Sequence, residues 1–331
     1  MPQNLDSVNA PALAFWITAP GEGEIRSAPI TAPGPGEALV RTRYSAVSRG
    51  TESLVFQGRV PPSQYHAMRA PFQEGEFPAP VKYGYCNVGE VVDGPADWLG
   101  RTVFCLYPHQ SFYRVPVSTL TAVPAAVPAA RAVLAANMET AVNALWDLAP
   151  LVGERIAVIG AGVVGCLCVR LLAGIPGVSV TMVDHNPQRK PLARQLGADF
   201  ATPAQVSGVF DRLVHASGNP AGLRLALALA AMEATILELS WYGDQAVELP
   251  LGEHFHPRRL TLRSSQVGNL NPAQQPRWDH ARRLALALRL LDDARLDALI
   301  DGESAFEDLP TTLPRLVAMS GQVLCHRLRY P

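Results

Sequence analysis

Apolar and polar residues alternate with a period of two through roughly the first third of the chain. Ala12 to Thr18, Glu37 to Tyr44, Gly89 to Val92, Thr102 to Leu106 and Ser111 to Val115 carry the pattern, and each predicts a short strand with one face in a core. Pro29, Pro33, Pro35, Pro61, Pro62, Pro78 and Pro80 punctuate the segments between them, where a missing N–H and a fixed φ break regular structure. Short strands between proline-rich turns predict a small, irregular β-barrel. A proline-bounded connector, Val123 to Pro128, then leads into a helical stretch from Ala129 to about Leu148. From Arg155 the period changes. Arg155 to Ile159, Val178 to Val183, Leu213 to His215, Ala234 to Leu239 and Leu260 to Val267 read as strands, with helices over Cys166 to Ala173, Pro187 to Leu196 and Ala221 to Ala231. Such alternation implies parallel strands joined by right-handed crossovers. The tail predicts an amphipathic helix from His280 to Leu291, a shorter helix after Asp308, and a strand from Val323 to Leu328.

The most informative stretch is Gly160-Ala161-Gly162-Val163-Val164-Gly165, which follows one apolar strand and opens a helix. Its G-x-G-x-x-G spacing suits a dinucleotide. Gly160 permits the tight turn, Gly162 leaves room for a pyrophosphate, and Gly165 lets the helix approach the strand. The first helical turn, with Val163 and Val164, then aims unpaired N–H groups at that anion. The second strand ends in Asp184, nineteen positions after Gly165, where a carboxylate meets ribose hydroxyls. His185, Arg189 and Lys190 lie close by and suit a 2′-phosphate, but Asp184 repels one. The reading is therefore NAD(H) in preference to NADP(H).

Composition narrows the partners. With 331 residues, 48% hydrophobic and 17% charged, the chain has length and apolar content for two packed domains. A net charge of −1 leaves no basic footprint for nucleic acid. No apolar run is long enough to span a membrane, and Met1 to Ala10 is polar without a signal-peptide pattern, so the expected compartment is the cytoplasm. Five scattered cysteines read as reduced thiols. Cys166 and Cys168 lie two apart on a predicted helix and point in different directions, while His254 and His256 lack a third ligand.

Four segments carry a resemblance to a known family. They are Ser45-Ala46-Val47-Ser48-Arg49-Gly50-Thr51-Glu52, Gly84-Tyr85-Cys86-Asn87-Val88-Gly89-Glu90-Val91-Val92, the glycine loop, and Ala216-Ser217-Gly218-Asn219-Pro220. In this order the chain resembles the medium-chain dehydrogenase/reductase superfamily, which includes the zinc alcohol dehydrogenases. The resemblance implies an α/β protein: a GroES-like β-barrel catalytic domain, residues 1–137 with 269–331 returning to it, and a Rossmann doubly wound parallel sheet at 138–268. It implies that Arg49 reaches the cofactor pyrophosphate, that Thr140 lies near the nicotinamide, and that Ser217 and Asn219 line the cofactor crevice.

The departures are equally telling. Zinc-dependent members carry Cys, His and usually Cys where this chain has Ser48, Tyr85 and Ala136, and the four-cysteine structural lobe is missing. No zinc site is expected. Ser48, Thr51 and Tyr85 then become the candidates for polarising the substrate oxygen or moving its proton. Ser48-Arg49-Gly50-Thr51-Glu52 and the later Ser240-Trp241-Tyr242-Gly243 resemble a zinc-free branch that includes dehydrogenases of the bacteriochlorophyllide hydroxyethyl side chain. The expected activity is hydride transfer between NAD(H) and a secondary alcohol or ketone. Two alternatives stay open: a quinone or enone reductase, and a non-catalytic nucleotide-binding protein. The substrate is a small molecule, and the last strand of the sheet, Leu260 to Val267, is expected to pair two copies in a homodimer.

Overall fold

The computed structural model describes residues 12–319 and 321–331. The chain divides into two compact units. One takes the described residues through Leu134, then Gly302 to residue 319 and Cys325–Pro331. The other takes Ala135–Asp301 and Gly321–Leu324.

The first unit begins with β1 (Ala12–Ala19), β2 (Glu22–Ala28), β3 (Glu37–Val47), helix α1 (Arg49–Phe56), β4 (Glu74–Gly75), β5 (Val81–Lys82) and β6 (Asn87–Asp93). It continues with β7 (Thr102–Cys105), β8 (Phe112–Pro116), β9 (Thr121–Ala122) and α2 (Ala129–Ala132). The second contains α3 (Ala135–Leu148), β10 (Arg155–Ile159), α4 (Val163–Leu172), β11 (Ser179–Val183), α5 (Lys190–Leu196) and β12 (Asp199–Ala201). After them come β13 (Phe210–His215), α6 (Pro220–Leu229), β14 (Ala230–Glu238), β15 (Thr261–Ser264) and α7 (His280–Leu290). β16 (Ile300–Ala305) leads back to the first unit, which ends with α8 (Leu309–Ala318) and β17 (Cys325–Arg329).

β3 is the spine of the first unit. Its eleven residues pair with β8 along Glu37–Arg41, with β17 along Tyr44–Val47, and with β6 along most of its length. The alternation in its sequence sends Ala38 and Val40 into a core with Val91, Val103, Tyr113 and Val115. β2 carries no such alternation, and the sequence did not predict it. Its hairpin pairing with β1, Ala12 opposite Ala28 through Ala19 opposite Glu22, holds a segment of exposed and half-buried residues in strand form.

In the second unit six parallel strands lie in the order β12-β11-β10-β13-β14-β15. This is the doubly wound order of a Rossmann sheet, whose direction switches between β10 and β13. The predicted helix across Ala129 to Leu148 is interrupted after Ala132, and the unit boundary falls there. The chain rejoins the first unit at Gly302, whereas the sequence reading placed the return at 269. The cause is Arg283 on α7, which is 1% exposed. It donates to Glu139 at 3.1 Å, to Asn143 at 2.5 Å and to the Val267 carbonyl. A guanidinium buried this deeply holds its partners, so residues 269–301 stay with α3.

Candidate functional site

β10 stops at Ile159 and α4 starts at Val163, so three residues make the turn. Gly160 has φ +109°, and a Cβ there would lie 2.7 Å from the Ser217 nitrogen. A Cβ on Gly165 would lie 2.0 Å from the Gly160 carbonyl oxygen, far inside contact distance. Two glycines thus close the backbone on itself. Gly162 differs: it caps α4 with φ −75° and ψ 177°, and nothing lies within 4 Å of where its Cβ would be. The open space faces the first turn of a ten-residue helix, where part-exposed Val163 and Val164 sit and unpaired N–H groups concentrate positive potential. A pyrophosphate fits this cradle.

Asp184 lies at its rim and does more than the sequence suggested. One carboxylate oxygen accepts the Ala161 N–H at 2.7 Å and the other accepts the Asn186 N–H at 2.8 Å. The side chain therefore pins the glycine turn, while its remaining lone pairs can accept hydroxyl protons. Of the neighbouring cations, Arg189 donates to the carbonyls of Gly321 and Gln322 and lies 4.0 Å from Asp301. His185 lies 3.4 Å from Asp184, and Lys190 is exposed.

The loop after β13 holds a cluster that the sequence did not reveal. His215 is fully buried, with Nδ1 at 2.8 Å from the Glu238 carboxylate and Nε2 at 2.6 Å from Ser217 Oγ. Glu238 also accepts from the Ser240 N–H at 2.7 Å and the Tyr242 hydroxyl at 3.2 Å. With the ring's one proton on Nδ1, that N–H donates to Glu238 and Nε2 accepts from the Ser217 hydroxyl. His215 and Glu238 end adjacent strands in register, which only tertiary pairing reveals. Asn219, expected against the cofactor, spends its side-chain oxygen capping α6 through the Ala221 N–H at 2.9 Å. Thr140 donates back to the Ala136 carbonyl at 3.0 Å.

In the first unit, Ser48 caps α1, with part-exposed Arg49 and Thr51 in the turns after it. The Ser48 hydroxyl hydrogen-bonds Tyr85, whose ring meets Tyr83 edge-on at 6.0 Å. Burial pushes the Tyr85 phenol well above the ordinary tyrosine value, Tyr83, Cys86 and Glu52 add to the rise, and the bond to Ser48 opposes it. Such a phenol keeps its proton at neutral pH. Beneath this pair lies a chain of polar groups missed in the sequence. Glu52 Oε1 accepts the Ser48 N–H at 2.7 Å, Glu52 Oε2 meets His109 Nε2 at 2.9 Å, His109 Nδ1 meets Ser45 Oγ at 2.8 Å, and Ser45 meets Tyr330 at 2.9 Å. His109 showed no signal in the sequence, because its partners come from α1 and β3, and Ser45 is held in turn from the chain end. Hydroxyl and phenol at 48 and 85, and a methyl at 136, do not make a zinc donor set. Among the described residues no three His, Cys, Asp or Glu side chains gather as a metal would need. Nor is any described helix long and apolar enough to cross a membrane.

No protein-family model matches the chain. Galactitol 1-phosphate 5-dehydrogenase of Escherichia coli K12 is 25% identical over 189 residues, 52% of this chain and 53% of that protein. L-idonate 5-dehydrogenase (NAD(P)(+)) of the same strain is 25% identical over 123 residues, 34% and 36% of the two chains. The chain thus spans between about a third and a half of these relatives. Many solved structures match over nearly the full length, two of them as follows. The L-idonate 5-dehydrogenase structure from Escherichia coli K-12 MG1655 superposes with a TM-score of 0.78 at 16% identity, covering 97% of this chain and 98% of that one. A structure named as a short chain alcohol dehydrogenase of Escherichia coli CFT073, complexed with NADH, gives 0.77 at 17% identity over 97% and 100%. The chain has the fold of these dehydrogenases.

Proposed function

We propose that this protein is a zinc-independent oxidoreductase that passes a hydride between NAD(H) and a secondary alcohol or its ketone. The observation that carries the reading is the Tyr85–Ser48 hydroxyl pair standing at positions that match zinc ligands, in a chain that also has the glycine cradle. When bound, the nicotinamide supplies or takes the hydride. Reduction leaves an alkoxide-like oxygen, and that charge needs a donor within hydrogen-bond distance. Tyr85, held protonated by its surroundings, supplies the proton, with Ser48 and Thr51 as the neighbouring hydroxyls. Arg189, occupied by two carbonyls, is poorly placed to clamp a 2′-phosphate, which favours NAD(H) over NADP(H). The substrate class follows the relatives' names: a small hydroxylated molecule. The reading includes a cytoplasmic homodimer joined through β15, the edge strand of the parallel sheet.

The test is Tyr85→Phe. NADH affinity should stay close to wild type while turnover on the best substrate from a panel of alcohols, ketones and enones falls by about 10²-fold. Full activity in Tyr85→Phe would show that the phenol only fills space.

A further inference from the structure

Glu52 and His109 are titratable groups that hydride transfer does not itself require, and both are buried, at 4% and 2% exposure. Burying an ionisable pair costs free energy, so their retention calls for a reason. The Glu52 carboxylate is bound at both ends. Oε1 accepts the N–H of Ser48, four residues earlier, while the Ser48 carbonyl accepts the Glu52 N–H at 3.0 Å. The first bond is the acid-to-amide half of a capping box, made from one residue further along than usual, and the second is the opening backbone bond of the helix; together they fix the entry of α1. Oε2 accepts from His109 Nε2–H. With the ring's one proton on Nε2, Nδ1 accepts from Ser45 and Ser45 accepts from Tyr330, so every donor in the chain points toward Glu52. Space for the imidazole exists because Gly84, at φ +128°, has no Cβ; one there would lie 3.0 Å from the ring. Gly84 immediately precedes Tyr85. The same contact that seats His109 therefore sets the backbone leading to the phenol.

We propose that Glu52 is a positioning residue for Tyr85: it clamps the Ser48 cap against the His109–Ser45–Tyr330 chain, and so holds the Ser48 hydroxyl on the phenol. The proposal rests on the reading of Tyr85 as the proton donor. It accounts for the separation in sequence of these partners, 57 residues from Glu52 to His109 and 285 from Ser45 to Tyr330, all converging on one cap.

A double-mutant cycle tests it. Glu52→Met keeps the length of the side chain but offers no acceptor to Ser48. It should lower kcat about tenfold, leave KM for NADH unchanged, and speed hydrogen exchange of the Ser48 amide at least tenfold. In a Ser48→Ala background the same change should cost less than about twofold in kcat, because its effect passes through the Ser48 hydroxyl. Losses that simply multiply, or an unchanged kcat and exchange rate in Glu52→Met, would overturn the proposal. If Glu52→Met does not fold, Ser45→Ala takes its place in the cycle, with a two- to fivefold loss of kcat that vanishes in the Ser48→Ala background. Tyr85→Phe run in parallel separates the two ideas. If it is silent the donor reading fails, whereas if it is slow and the cycle is additive only the clamp fails.

Discussion

Glycines 162 and 165 lie three residues apart, yet the structure assigns them opposite consequences on substitution. At Gly162 a methyl meets nothing within 4 Å, and φ −75° with ψ 177° is open to alanine. Replacing glycine there gains roughly 0.4–1 kcal/mol from the unfolded chain. Alanine is a poor helix cap and loses a comparable few tenths to 1 kcal/mol, so Gly162→Ala should fold with stability within about 0.5 kcal/mol of wild type. The methyl nevertheless occupies the space a pyrophosphate needs. NADH affinity should fall at least tenfold, or about 1.4 kcal/mol. At Gly165 the methyl would lie 2.0 Å from a backbone oxygen, so α4 must move away by more than about 1 Å. Overpacking of that kind costs about 1–3 kcal/mol, and it also carries the helix N-terminus off the phosphate. Gly165→Ala should therefore lose both stability and binding. Thermal melts and NADH fluorescence titrations on the two variants decide the matter. Wild-type NADH affinity in Gly162→Ala would refute the assignment of the cradle.

Three further outcomes follow from particular contacts. Wild-type protein should bind NADH more tightly than NADPH, and Asp184→Ala should narrow the gap by removing the carboxylate that repels a 2′-phosphate; competitive titration measures both, and a wild-type preference for NADPH would refute it. Burial raises the Asp293 carboxyl, but hydrogen bonds from Arg295 and Arg170 outweigh it and hold the group at about 2 instead of 3.8. A depressed carboxylate contributes stability above its unfolded value and loses it as pH falls through the folded one, so Asp293→Asn should cost about 1–2 kcal/mol at pH 7 after screening, and the gap should narrow from pH 4 toward pH 2 in urea melts. Light scattering at micromolar concentration should give twice the 35.6 kDa of one chain, and the mass of a single chain would rule out pairing through β15.

The sequence alone was enough for the alternation of strand and helix after Arg155, the glycine turn, and Asp184 just after its strand. These are local facts: periodicity, steric need for glycine and donor chemistry are all written within a few residues. β2 was illegible because pairing, not pattern, makes it a strand. The allegiance of residues 269–301 was illegible because it turns on Arg283 reaching Glu139, 144 positions away. The two histidine clusters are the clearest case. His109 and His215 are unremarkable beside their sequence neighbours, and each gains its meaning from partners delivered by other elements: Glu52 and Ser45 for one, Glu238 for the other. A buried polar side chain must find a hydrogen-bonding partner, but which partner it finds depends on where the chain folds back. Only the tertiary structure decided that.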